Sequence, residues 1–351
     1  MTDKMGQPFS TKRYLLSWLT LFRLGATARG VLPFLLGAVI AWSQGKPINL
    51  AVLVLSSIAV IFIMLMTFLI NEYSDYEADV INKEFHRLSG GSRVLPMGLI
   101  PRQQSLIAAY VCLSLAVIIG LLLYFYYQTG PFTIPLGAVA IFIGYFYTAR
   151  PLRLSYRGLG EIAIWFSCGW LATFTGYYLQ TGHFDMVTTL AALPGATSVF
   201  LLILINEIPD INSDQIVGKR NLAVRLGREK TAILYSIVLI LCYVNIITII
   251  FFGVPPITGF LSLILVPLII WNIMTIRRQG LRDAKIQEGL SLRTMLIDHL
   301  ITIIYTIGFI VAGLSLITIR IDYLVVLAIA YVFVFGLEGL GLFSSKMVTQ
   351  Q

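Results

Sequence analysis

Long apolar runs recur along this chain. Short turns join them on one side and longer basic connections on the other. The runs fall at 22–43, 48–70, 104–127, 131–148, 160–181, 187–206, 231–253, 257–276, 296–318 and 321–343. A membrane-crossing helix needs about 20 mostly apolar residues. The runs are continuous rather than alternating, which argues against a closed barrel. No long polar or Pro/Gly-rich linker divides them, so the pattern predicts an all-α, polytopic helical bundle formed by one domain, 1–351. Glu338 interrupts the last run, which makes 321–343 the weakest of the spans.

Composition agrees: 58% of residues are hydrophobic, 12% are charged and mean hydropathy is +0.86, outside the soluble globular range. A net charge of +8 raises the question of nucleic acid, and its placement argues against it. All 25 Lys and Arg residues except Lys46 and Arg320 fall on one side of the predicted spans. The positive-inside rule assigns that side to the cytoplasm, and ten spans put both termini there. The expectation is an integral protein of a prokaryotic cell membrane, without a cleavable signal peptide. Cys112, Cys168 and Cys242 lie singly inside spans and read as buried small hydrophobes.

Only 17 residues are Asp or Glu, and six of them belong to one pattern that occurs twice. Asn71, Glu72, Asp75 and Asp79 end the second span; Asn206, Glu207, Asp210 and Asp214 end the sixth. Four crossings separate the copies, so both emerge on the same cytoplasmic face. The duplication reads as two parallel half-repeats, 22–148 and 160–276, followed by 296–343. On a helix, Asn71, Asp75 and Asp79 stack along one face. Like charges at that spacing repel, and desolvation near the membrane worsens the repulsion. Oxygen donors of this kind suit a hard cation, Mg²⁺ above all. The candidate metal ligands are therefore Asn71, Glu72, Asp75, Asp79, Asn206, Glu207, Asp210 and Asp214. Glu77 points off that face and reads as solvated. Pro209 predicts a break inside the second copy.

Basic and glycine-rich segments surround the motifs. Gly218-Lys219-Arg220-Asn221 follows the second copy, and cations directly after carboxylates fit an anion held by metal and side chains together. Arg228 and Lys230 read as ordinary cytoplasmic charge. Gly90-Gly91-Ser92-Arg93 follows the first copy, where adjacent glycines let backbone N–H groups approach a phosphate. Arg150, Arg153 and Arg157 are interleaved with Tyr147 and Tyr156, a clamp suited to a diphosphate. Lys219, Arg220, Arg150, Arg153, Tyr147 and Arg93 are the candidate diphosphate-binding residues. Glu161 is positioned to cap the N-terminus of its own span. His86, His183 and His299 follow no ligand spacing; His86 alone lies in the active-face loops.

An acidic, basic-rimmed site opening into an apolar bundle suits a diphosphate head with a long hydrocarbon tail. Metal-assisted loss of diphosphate leaves an allylic cation, which aromatic faces stabilise until an electron-rich aromatic acceptor is alkylated. At these residues the chain resembles the UbiA superfamily of intramembrane prenyltransferases. The family's Asn-Asp-x-x-Asp-x-x-x-Asp motif is matched by Asn71 through Asp79, with Glu72 in place of the first Asp. The second motif is matched by Asn206 through Asp214, with Glu207 at the same position. Gly218 to Gly227 carries the loop that follows it. The resemblance implies nine spans around a central cavity under a cytoplasmic cap, so a tenth span would be an appended helix. It also implies Mg²⁺ as cofactor, with Asp75, Asp79, Asp210, Asp214, Asn71 and Asn206 as the catalytic residues. Gly90-Gly91-Ser92, the stretch from Tyr156 to Glu161 and the Gly-Lys-Arg-Asn loop look like the branch that prenylates 1,4-dihydroxy-2-naphthoate in menaquinone biosynthesis. The expected partners are thus a polyprenyl diphosphate, a small aromatic acceptor and the lipid bilayer. Other acceptors within the family remain alternatives, namely 4-hydroxybenzoate, homogentisate, haem or a glycerol lipid. From another class, an ion-coupled transporter is the competing reading, since intramembrane carboxylates often mark ion paths. Against it, the acids lie at one rim and the outer side is nearly bare of charge.

Overall fold

The computed structural model describes residues 11–85, 88–281 and 283–314, with 331, 332 and 336. His86 and the predicted run 321–343 with Glu338 lie outside these, apart from 331, 332 and 336. Among the described residues every regular element is helical. α1 (Thr11–Phe22), a short 3₁₀ turn (Leu24–Thr27) and α2 (Ala28–Ser43) together form one 33-residue apolar stretch. α3 (Leu50–Ser74) leads into the short α4 (Tyr76–Ile81), and α5 (Arg102–Phe125) and α6 (Thr133–Phe146) follow. The next segment comprises α7 (Gly160–Ile164), a π-helical turn (Trp165–Leu171) and α8 (Ala172–Thr181). α9 (Met186–Asn206) leads into the short α10 (Ile211–Ile216). α11 (Leu222–Thr248), α12 (Pro256–Ser262), α13 (Val266–Gln279) and α14 (Ala284–Leu314) complete the described chain.

Length and composition support seven membrane-crossing helices among the described residues, fewer than the nine or ten read from the apolar runs. The difference is local. α6 has only 14 helical residues, about 21 Å, and the predicted run 160–181 is split by the π-helical turn. π-turns are rare and are enriched at functional sites; this one places Ser167 and Cys168 in the wall of the central cavity.

Elements start where local chemistry dictates. Asn49, Asp185 and Asn221 cap α3, α9 and α11, each accepting a backbone N–H with its side-chain oxygen at 3.2, 2.6 and 2.8 Å. Inside the bundle, small residues decide how close helices come, as expected where lipid removes the hydrophobic drive for association. α2 and α8 meet at Gly37 and Gly176. A Cβ on Gly37 would lie 1.9 Å from the Thr173 carbonyl oxygen, and one on Gly176 would lie 1.9 Å from that of Phe34. The larger apolar core joins α2, α8, α9, α11 and α14, and a smaller one joins α1, α3 and α5. Between these packed groups, α6 buries a single residue, Thr133, and a cavity lies along its inner face.

Candidate active site

The two acidic motifs share one local architecture. A long helix ends at the motif and a short helix follows: α3 then α4, and α9 then α10. In the first copy the chain leaves helical geometry at Asp75 (φ −92°, ψ 6°), yet the N–H of Asp75 still bonds the Asn71 carbonyl and that of Asp79 bonds Asp75. Asn71, Asp75 and Asp79 therefore stay in near-helical register across the break. In the second copy α9 stops at Asn206, and Pro209 lies in a turn before α10.

The motifs meet through Lys219. Its Nζ lies 3.3 Å from Asp75 Oδ2 and 3.2 Å from Asp214 Oδ2. A second link runs from Asn82 Nδ2, which donates to Asp210 Oδ1 at 2.7 Å. Tyr156 donates its hydroxyl to Asp75 Oδ1 at 2.8 Å, Asn71 Nδ2 donates to Asp75 Oδ2 at 3.2 Å, and Asn221 Nδ2 donates to Asp214 Oδ2 at 2.9 Å. Residues from four separate segments are thus locked around one cluster of carboxylates.

The glycine run lines the cavity at Gly90 and Gly91 and is tied to both acidic motifs. Its N–H groups meet carboxylates: Gly90 donates to Asp210 Oδ2 at 3.4 Å, and Ser92 donates to Glu72 through its N–H and its hydroxyl, each at 2.7 Å. Gly91 has φ +69°, and a Cβ there would sit 2.5 Å from Asp79 Oδ2, so the turn requires glycine. Glu72 is 1% exposed. Both its oxygens are engaged by Ser92, with Arg23 at 3.7 Å, and it is not among the cavity-lining residues. It braces the loop to α3.

Burial and crowding of like charge govern the titration of the rim. Burial, and then the charges of Glu72, Asp75 and Asp210, push Asp79 well above the usual carboxylate range. Burial and Asp214 push Asp210 up to about 7. Burial raises Asp214 and Glu207 as well, with Glu161 adding to the shift of Glu207. Burial pulls the Lys219 ammonium down, but Asp214 and Asp75 outweigh it and hold the group well above its ordinary value. The rim carries more negative charge than one lysine neutralises.

A metal fits this donor set chemically. Asn206 Oδ1 and Glu207 Oε2 are buried acceptors without a donor, and buried carboxylates facing one another gain most from a hard cation. Among the described residues no three carboxylate, histidine or cysteine side chains form a ready-made metal cluster. The reason is visible in the bonding: Asp75, Asp210 and Asp214 are each held by amide, amine or hydroxyl donors of the protein.

Below the rim an apolar cavity of about 410 Å³ opens between α2, α3, α5, α6, the π-turn, α8 and α9. Of the residues singled out from sequence for the site, Asn71, Asp75, Asp79, Gly90, Gly91, Asn206, Glu207, Asp210, Asp214, Tyr147 and Lys219 line it. The remaining basic candidates do not. Arg150 and Arg220 are exposed. Arg153 stacks on the Tyr156 ring at 3.3 Å, and Arg93 bonds the Asp79 carbonyl while lying over Phe85. Their guanidinium groups hold the loops that carry the site. Glu161 caps a helix other than its own, accepting the N–H of Leu222 at the start of α11 at 2.5 Å. Glu77 is solvated and paired with Arg102, as its off-face position implied. Sequence reasoning missed Arg23, Arg29 and Asn82 as cavity-lining residues. The two arginines were indistinguishable from cytoplasmic charge, and Asn82 gave no signal beyond lying three residues after Asp79.

The sequence profile of the UbiA prenyltransferase family matches residues 30–297. The chain belongs to the UbiA prenyltransferase family. It is similar to the 1,4-dihydroxy-2-naphthoate octaprenyltransferase of Escherichia coli (strain K12), with 26% identity over 75% of this chain and 85% of that protein. The enzyme of the same name from Bacillus subtilis (strain 168) is 26% identical over 63% of this chain and 69% of its own length. The structure of a UbiA homolog from Archaeoglobus fulgidus bound to GPP and Mg²⁺ superposes with a TM-score of 0.57, covering 82% of this chain and 99% of that one at 16% identity. A digeranylgeranylglyceryl phosphate synthase structure gives 0.58, covering 85% and 99% at 17% identity. At these identities the structures show a shared fold. As a UbiA-family chain the protein is a prenyltransferase, which displaces the transporter reading.

Proposed function

We propose that this UbiA-family prenyltransferase transfers a polyprenyl chain from an all-trans polyprenyl diphosphate to 1,4-dihydroxy-2-naphthoate, in menaquinone biosynthesis. The observation that carries the reading is the junction of two acidic motifs across Lys219 at the mouth of an apolar cavity. A diphosphate head matches the rim and a hydrocarbon tail matches the cavity. The names of the similar bacterial proteins support the acceptor.

Asn71, Asp75, Asp79, Asn206, Glu207, Asp210 and Asp214 would hold Mg²⁺. The ion would neutralise the departing diphosphate. Lys219 faces the leaving group with a full positive charge that its carboxylate neighbours preserve. Tyr147, Phe34 and Phe68 set aromatic faces along the cavity wall, where an allylic cation is stabilised. The surrounding apolar side chains exclude the water that would otherwise capture that cation. As the C–O bond of the donor breaks, the aromatic carbon of the acceptor forms the new C–C bond. The acceptor's carboxylate leaves as CO₂.

The site belongs to the cytoplasmic face of the membrane in this reading, because the basic connections flank it. The nine-span core and the two parallel half-repeats belong to the same proposal, supported by the matching helix–break–short-helix ends of α3–α4 and α9–α10.

The test uses the full chain in lipid nanodiscs with Mg²⁺, an all-trans prenyl diphosphate and 1,4-dihydroxy-2-naphthoate, read by mass spectrometry. A prenylated, decarboxylated product that disappears on chelation is the expected result. Diphosphate release without that product would overturn the acceptor assignment. No diphosphate release with any donor would overturn the proposal.

A further inference from the structure

The cavity reaches far below the rim. On α3 its wall runs from Asn71 down to Ser56, about 15 residues or roughly 23 Å of helix. That is most of a hydrocarbon core about 30 Å thick. Two glycines line its deeper part, Gly137 on α6 and Gly120 on α5. Both are half-buried, and a Cβ added at either would meet no atom within 4 Å. Gly144 lines the same wall, but a Cβ there would lie 2.4 Å from Thr67 Oγ1, so close helix packing accounts for that glycine. Packing does not account for Gly120 or Gly137. Both line the cavity, so the space beside them is open to a bound chain.

Contacts between helices set the depth of each. Gly144 abuts Thr67, so Gly137, on the parallel helix α6, lies level with Val60 of α3, about 11 residues or 16 Å below Asn71. The Ser105 hydroxyl bonds the Leu69 carbonyl, so Gly120, on the antiparallel helix α5, lies level with about residue 54, roughly 25 Å below Asn71. An all-trans isoprene unit has four chain bonds and spans about 5 Å, scaled from the 3.8 Å that three bonds span in a trans peptide. A tail held at the rim therefore reaches Gly137 after about three units and Gly120 after about five.

We infer that Gly137 and Gly120 are two successive openings of the tail channel that let this enzyme accept long polyprenyl donors. Around the depth of Gly120 the lining residues Val117 and Leu121 are also exposed on the outer side of α5, which gives the rest of a long tail a way into the bilayer there. The inference rests on the prenyl-transfer reading and assigns to two residues of the same site the acceptance of chains well beyond five units.

The experiment compares the unsubstituted protein with Gly137→Leu and Gly120→Leu in nanodiscs. The donors are geranyl, geranylgeranyl and octaprenyl diphosphates, the acceptor is 1,4-dihydroxy-2-naphthoate, and product is measured by mass spectrometry. Selectivity is read as the ratio of kcat/KM between donors, so a general loss of folded protein cancels. For Gly137→Leu, the geranylgeranyl/geranyl and octaprenyl/geranyl ratios should each fall by tenfold or more, the scale of steric discrimination in an apolar pocket. For Gly120→Leu, only the octaprenyl/geranyl ratio should fall. Gly137→Ala should give a smaller change in the same direction as Gly137→Leu. Unchanged ratios, or an equal loss with all three donors, would overturn this inference and leave the prenyl-transfer reading standing. Failure of the unsubstituted protein to use any donor would remove that reading, and this inference with it.

Discussion

Replacing Lys219 by Met tests the centre of the site most directly. The ammonium sits 3.3 Å from Asp75 and 3.2 Å from Asp214, with side-chain exposures of 12, 8 and 3% respectively. At such a separation and an effective dielectric near about 20, each contact has a gross Coulomb attraction of about 5 kcal/mol. Much of that offsets the cost of burying the charges. Methionine removes the attraction and leaves the carboxylates facing each other. Two consequences follow, and they run in opposite directions. The site becomes more negative by one charge, so Mg²⁺ should bind more tightly. The leaving diphosphate loses a preorganised cation, which is worth about 10²- to 10³-fold in kcat. Diphosphate release measured over a Mg²⁺ titration separates the two. The expected variant saturates at lower Mg²⁺ but turns over two to three orders of magnitude more slowly. Near-normal turnover with an unchanged Mg²⁺ requirement would refute the reasoning, because it would mean that Lys219 faces neither the metal-binding carboxylates nor the donor.

Three further outcomes follow from the same geometry. Asp210 keeps its proton up to about pH 7, so an incoming cation must displace it; affinity for Mg²⁺ should rise between pH 6 and pH 8, this group alone contributing up to about tenfold per unit below pH 7. Calorimetric titration checks this, and Asp210→Asn should flatten the dependence. Glu72→Ala should lower the melting temperature in detergent, because it leaves the half-buried Ser92 N–H and hydroxyl without this acceptor, at the low end of the roughly 1–3 kcal/mol that a fully buried group would cost. Glu72→Gln keeps one acceptor oxygen and should recover part of the loss; equal melting temperatures for all three proteins would show that the brace is not structural. Gly91→Ala should abolish turnover while the protein stays membrane-inserted, since the new methyl meets Asp79 and the φ of +69° disfavours any side chain. Wild-type rates in that variant would argue that the turn can move away from Asp79 at no cost.

Much of this protein was legible one residue at a time. Continuous apolar runs determine helices, because every backbone polar group in lipid must be satisfied within its own segment. Scarce acids repeated at helical spacing marked the rim, because uncompensated charge beside hydrocarbon persists only where something uses it. Asp75, Asp79, Asp210 and Asp214 were found that way, Lys219 and Tyr147 from the basic segments around the motifs, and all of them line the cavity. What the sequence left open depends on which distant segments touch. Nothing local separates Lys219, which bridges both motifs, from Arg220 beside it, which is exposed; a turn of one residue decides between them. Arg150, Arg153 and Arg93 carry the same charge as a diphosphate clamp, yet the backbone aims them at solvent, at a tyrosine ring and at a carbonyl. Glu72 and Asp75 belong to one motif, but α3 turns the first toward Ser92 and the second toward Lys219. The open space beside Gly120 and Gly137 is likewise invisible in a string of apolar letters. It exists because α6 packs loosely against its neighbours, and that is a property of the assembled bundle. Composition and spacing determined which chemistry is present; tertiary contacts, acting across more than a hundred residues, decided which side chains perform it.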